Sequence, residues 1–221
     1  MKKSTVWIIV VLVGLYIACQ LIADVSATKL VEMWGIVLPA GSMIFAVTFT
    51  LRDMIHKRLG RDWARASIIM AAVFNLIMAG YFQLVTRMPA PAFYEMADAW
   101  NAIFSFVPAI VIGSIIAELV SELLDTEVYH LWRGRVEEKW HTPQWMRVLV
   151  SNAVSLPVDS FLFALFAFVL LPPLFGGEAL PMAAAWAIVG GQIVWKAVIT
   201  GVSMPLIYLV PEKQVDTTGL A

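Results

Sequence analysis

The residues of this chain best placed to do chemistry are acids and one lysine set in otherwise apolar stretches. Asp159 stands in Leu149 to Leu171, LVSNAVSLPVDSFLFALFAFVLL, with Asn152 and Ser155 before it and Pro157 between. Lys196 stands mid-run in GGQIVWKAVITG, and Gln192, Lys196 and Thr200 recur at four-residue spacing, so they share one helix face. In IGSIIAELVSELLD, Ser114, Glu118, Ser121, Glu122 and Asp125 follow three- and four-residue spacing and give a third helix a polar stripe. A charge in a membrane-spanning segment costs several kcal/mol unless it is paired or wetted, so such residues mark a substrate or ion path or a structural ion pair. Lys196 is the best counter-charge in the chain for Asp159. Glu118 and Glu122, one turn apart, repel and need a cation, a proton or a donor between them.

Pro157 removes one backbone donor and leaves the carbonyl of Ala153 free, so a break in that helix is expected beside Asp159. Aromatic planes are available from Trp34, Phe45, Phe161, Phe163 and Trp195. Carboxylates, an amide, hydroxyls and one ammonium beside aromatic faces suit a small, flat, polar heterocycle, whose ring stacks while its N–H groups donate to acids. A bare Ca²⁺ or Mg²⁺ fits poorly beside Lys196.

The elements that must position these residues are membrane helices. Of 221 residues 61% are hydrophobic and 14% charged, and the mean hydropathy is +0.82, which excludes an ordinary soluble domain. We expect an all-α integral membrane protein, one transmembrane domain over 1–221, with six spans: Thr5 to Ala23, Gly35 to Leu51, Ala66 to Thr86, Ala102 to Leu124, Val148 to Leu171 and Ala183 to Val210. Pro205 either kinks the last run or ends it near Ser203. The start imitates a secretory signal with Val25-Ser26-Ala27, but its apolar part is longer than a signal core, so it is expected to stay as the first span.

Lys2 and Lys3, the basic groups from Arg52 to Arg65, those from Arg133 to Arg147, and Lys213 make twelve on one side, against Lys29 and Arg87 on the other. This asymmetry predicts a multi-pass protein of the cytoplasmic (inner) membrane with both termini cytoplasmic. The lone Cys19 excludes a disulfide framework. The sequence lacks HExxH, GxSxG, GxxxxGK[ST] and GxGxxG, so no enzyme activity, cofactor, metal or nucleic-acid partner is expected. His56, His130 and His141 are expected in cytoplasmic connections, none placed to ligate a metal with a second His. Gly113/Ala117/Ser121 and Ala187/Gly191 permit close helix contacts, within one subunit or in a homodimer.

Trp34-Gly35 with Pro39, the segment Asp53 to Gly60 (DMIHKRLG), Glu122-Leu123-Leu124-Asp125 running to Arg133, the Ser/Asn-rich approach to Asp159-Ser160, and Lys196 together resemble the queuosine precursor transporters, also called the vitamin uptake transporter family. The resemblance covers roughly residues 30 to 210. It implies a six-helix fold similar to the substrate-binding component of energy-coupling-factor transporters, and import of 7-deazaguanines such as 7-cyano-7-deazaguanine, its aminomethyl relative or queuine. The substrate site it suggests comprises Glu118, Glu122, Asn152, Asp159, Lys196, Trp34 and Asp53, with Glu122 or Asp159 taking N1–H and the exocyclic amine. Asp53 could equally pair with Arg52 or Arg61. Energy coupling stays open between facilitated diffusion, proton coupling through Glu118 or Glu122, and a separate ATPase partner. A carrier of another vitamin or a cation, and a scaffold whose polar residues only lock helices, are the rival readings.

Overall fold

The computed structural model describes residues 3–132 and 144–203. They form α1 (Lys3–Ser26), a hairpin of β1 (Leu30–Met33) and β2 (Ile36–Pro39), α2 (Gly41–Leu59), α3 (Arg61–Thr86), the short α4 (Ala97–Phe104), α5 (Val107–Trp132), α6 (Gln144–Leu165) and α7 (Met182–Ser203). Between α6 and α7 the chain makes a π turn at Phe166–Leu170 and a 3₁₀ turn at Pro172–Phe175. Among the described residues, five stretches are long and apolar enough to cross a membrane: Val6–Ser26, Asp62–Thr86, Ala97–Ser121, Ala153–Leu170 and Met182–Val202. The molecule is a mostly helical, multi-pass membrane protein.

The expected second span is corrected. Its first residues, Gly35 to Pro39, belong to a two-stranded antiparallel hairpin pairing Leu30 with Pro39 and Met33 with Ile36. Trp34 (φ 53°) and Gly35 (φ 76°) form the two-residue turn; two successive positive φ values give a turn whose twist matches that of the flanking strands. The helix begins only at Gly41, and its second half carries Arg52, Asp53, Lys57 and Arg58. The eleven residues from Gly41 to Leu51, three of them Ser or Thr, are by themselves too few to cross a hydrocarbon core of about 30 Å at about 1.5 Å per residue. An all-helical description therefore fails at this one place.

Close backbone approaches seat the hairpin and α2. A Cβ on Gly41 would lie 2.0 Å from the carbonyl oxygen of Ala23, and one on Gly191 would lie 2.0 Å from that of Val37. Glycine at these two points lets α2 start hard against α1 and lets β2 lie on α7. Gly191 is near the middle of α7, so the hairpin reaches inward along a membrane-length helix rather than capping its end. Extended backbone is tolerated at such a depth where protein, not lipid, surrounds it. Leu38 and Pro39 are accordingly buried.

Packing divides into two main clusters. Ile9, Tyr16, Leu51, Ile55, Leu59, Ala64 and Ala71 join α1, α2 and α3. Ile110, Ala117, Phe163, Ala164, Ala167, Phe168, Ile188 and Val189 join α5, α6 and α7. Helix α6 runs unbroken through Pro157, contrary to the break expected there; its one irregularity is the π turn further on. That turn lies against Gly113 of α5, where a Cβ would be 2.8 Å from the amide nitrogen of Ala167. Residues 204–210, where the last span was expected to kink or end, lie outside the described residues.

Candidate functional site

The site begins with α5, because its polar stripe faces two different helices. Ser114 Oγ donates to Asp24 Oδ2 of α1 at 3.2 Å. One turn on, Glu118 Oε1 accepts from Tyr16 Oη at 3.1 Å and from Gln20 Nε2 at 3.2 Å, both also on α1. Ser121 Oγ then donates to Asp159 Oδ1 of α6 at 3.3 Å. The second oxygen of Asp159 pairs directly with Lys196 Nζ of α7. Lys196 also lies 3.4 Å from Ser160 Oγ and 5.3 Å from the ring centroid of Phe45 on α2. An ammonium over an aromatic face is attracted by the ring quadrupole. Asp159 and Lys196 are 4% and 2% exposed, so this ion pair is sealed among four helices.

Asp24, Ser114, Asp159, Lys196 and Phe45 border a pocket between α1, α2, α5, α6 and α7. Its cavity is small, about 20 Å³, close to the room one water takes, within about 340 Å³ of unfilled space that includes the open mouth. Asp24, Ser42, Ser114, Asp159, Gln192 and Lys196 give it polar points; Phe45 and Phe163 give it aromatic walls; Ala23, Ala27, Gly41 and Ala117 keep it open by being small. Gln192 is 1% exposed, and its Nε2 makes no hydrogen bond. The pocket thus offers two carboxyl groups, one ammonium, one amide and hydroxyls in apolar surroundings, the mixture that orients a small polar ligand while excluding water. Among the described residues no cluster of three or more His, Cys, Asp or Glu could hold a metal ion.

The expected site residues divide accordingly. Asp159 and Lys196 meet directly, and both line the pocket. Glu118 is half-buried just beyond it, tied to Tyr16 and Gln20. Trp34 does not join them: it is 86% exposed at the hairpin turn and is no part of the pocket wall. Of the other aromatics, Phe45 and Phe163 line the pocket, whereas Phe161 packs on Trp186. The side chains of Asp53, Glu122 and Asn152 lie outside the described residues.

Asp24, Ser42, Tyr16 and Gln20 were missed in the sequence. A signal existed, since Tyr16, Gln20 and Asp24 repeat at four-residue spacing along the first span. That stripe escapes notice when the span is ended at Ala23, one residue short of its acid. Residues 24–26 in fact continue α1.

The five membrane-length stretches among the described residues, four of which contribute to the wall of a buried polar pocket, define a multi-pass membrane protein with a polar site between its helices. More particularly, the chain belongs to the family described as "Putative vitamin uptake transporter", which it matches over residues 39–210. It is also similar to a protein of Bacillus subtilis (strain 168) named "Probable queuosine precursor transporter", at 27% identity over 151 residues. That match takes in 68% of this chain and 65% of the relative, so the chain spans a little under two thirds of the relative's length. No solved structure matches it.

Proposed function

We propose that the protein imports a queuosine precursor, 7-cyano-7-deazaguanine or a related 7-deazaguanine, across the cytoplasmic membrane, with both termini on the cytoplasmic side. The observation that carries this reading is the pocket itself. Acids, an amide and an ammonium line one pocket together with two phenylalanines. A planar lactam stacks on such faces and presents N–H groups to the acids and a carbonyl to a donor. Family membership and the printed name of the Bacillus relative support the same substrate class.

In this reading Asp159, Lys196 and Glu118 form the polar frame of the site, and Glu122 and Asn152 extend it along α5 and α6. The half-apolar α2 with the hairpin takes the place of a sixth span, in a fold akin to the substrate-binding component of energy-coupling-factor transporters. The test is uptake of labelled 7-cyano-7-deazaguanine by cells making wild type or Asp159→Ala at matched membrane levels. Loss of uptake is expected, and wild-type rates in the variant would remove Asp159 from the site.

A second reading is favoured by the direct Asp159 and Lys196 pair: the polar residues lock α6 to α7 and nothing is carried. It expects the double variant Asp159→Asn/Lys196→Met to behave as wild type in every respect. The transport reading expects that double variant to fold but to take up substrate more slowly.

A further inference from the structure

Two groups in the pocket wall keep hydrogen-bonding capacity that the described residues do not use. Asp24 is 2% exposed and, among the described residues, is bonded through its side chain only to the Ser114 hydroxyl. Gln192 is 1% exposed and its amide nitrogen has no partner. Buried polar groups are rarely left so, and each that is calls for an explanation such as a ligand that completes it. Asp159 is the contrasting case, with one oxygen bonded to Ser121 and the other to Lys196. A carboxyl oxygen accepts hydrogen bonds, and a carboxamide nitrogen only donates them. Placed in one pocket beside the faces of Phe45 and Phe163, they complement a flat ring whose carbonyl neighbours a ring N–H and an exocyclic amine.

We propose that Asp24 and Gln192 are the specificity-determining residues. Asp24 accepts from the ring N–H and the exocyclic amine, and Gln192 Nε2 donates to the ring carbonyl. This rests on the reading of the pocket as a heterocycle site and sharpens it, because it assigns the base edge to Asp24 instead of Asp159 or Glu122. It also predicts weak binding of an adenine-type edge, which lacks both the ring N–H and the neighbouring amine and so presents no N–H to Asp24.

The test uses the full chain in lipid nanodiscs and compares the affinity of 7-cyano-7-deazaguanine with that of its analogue lacking the 2-amino group. Removing one hydrogen bond is expected to weaken wild-type binding a few-fold, up to about tenfold. Asp24→Asn should weaken the parent ligand similarly and erase the difference between the two ligands. Gln192→Leu should weaken both ligands equally and keep the difference. Equal wild-type affinities, or a full difference retained in Asp24→Asn, overturn the assignment. Should Asp24→Asn fail to fold, the double variant Asp159→Asn/Lys196→Met decides: the difference between the two ligands is expected to persist in it, and its loss overturns the assignment of the base edge to Asp24. If the wild type binds neither ligand, the heterocycle reading itself falls, and this assignment with it.

Discussion

Asp24 and Asp159 line the same pocket and are almost equally buried, yet they are held in opposite ways. Asp159 is saturated, with Ser121 on one oxygen and the Lys196 ammonium on the other. Asp24 has only a serine hydroxyl. A buried charge with a full set of partners is fixed in place and largely spent on its neighbours, whereas one with a single neutral partner keeps acceptor capacity for something that arrives. Burial alone does not identify a ligand-binding acid; the partners do.

The sharpest way to break this contrast is to remove one half of the pair. Lys196→Met leaves Asp159 buried beside a methionine, and stripping one partner from a buried ion pair costs about 3–5 kcal/mol. Thermal unfolding in detergent should show a large fall in Tm, mostly recovered by adding Asp159→Asn. A single variant as stable as wild type would mean that the pair is not buried as described.

Gly191→Val comes next. It forces a side chain into the carbonyl of Val37 and pushes the hairpin off α7, at a cost of about 1–3 kcal/mol typical of overpacking. Uptake should fall with it, because Gln192 is the next residue, and an unchanged Tm would deny the close contact. Asp24→Asn sits lower still on the stability scale. With one neutral hydrogen bond at stake, about 1 kcal/mol is expected, together with a few-fold to about tenfold loss of ligand binding. A Tm drop as great as that of Lys196→Met would erase the distinction between the two aspartates. Smallest of all, Tyr16→Phe removes one donor from Glu118 while Gln20 remains, so a stability change within about 1 kcal/mol and near-normal uptake are expected. A severe uptake defect in that variant would make Glu118 part of the transport route.

Much of this was legible before any coordinates. Charges at helical spacing inside apolar runs stand out by their cost, so Asp159, Glu118 and Lys196 could be singled out, and Asp159 paired with Lys196 across the sequence. The polar stripe of α5 was equally plain, although which neighbours it faced was not. The hairpin was hidden for a local reason: Ile36 to Pro39 is as apolar as the helix that follows, and its turn places a tryptophan, not the usual Asn or Gly, at a positive φ. Continuous hydropathy therefore reads strand and helix as one span. Gln192 was visible as part of a stripe with Lys196, but only the packing distinguishes a glutamine with no partner from one that ties two helices. The close contacts at Gly41 and Gly191 depend on residues far away in the chain and leave no mark on local periodicity.

The pocket as the place where substrate binds can be probed directly at Ser42, which lines it without holding Asp24, Asp159 or Lys196. In a Cys19→Ala background, Ser42→Cys supplies a single thiol for a small methanethiosulfonate reagent. The account expects 7-cyano-7-deazaguanine to slow modification in a dose-dependent way while adenine does not; modification at the same rate with and without substrate, at concentrations that saturate uptake, would contradict it.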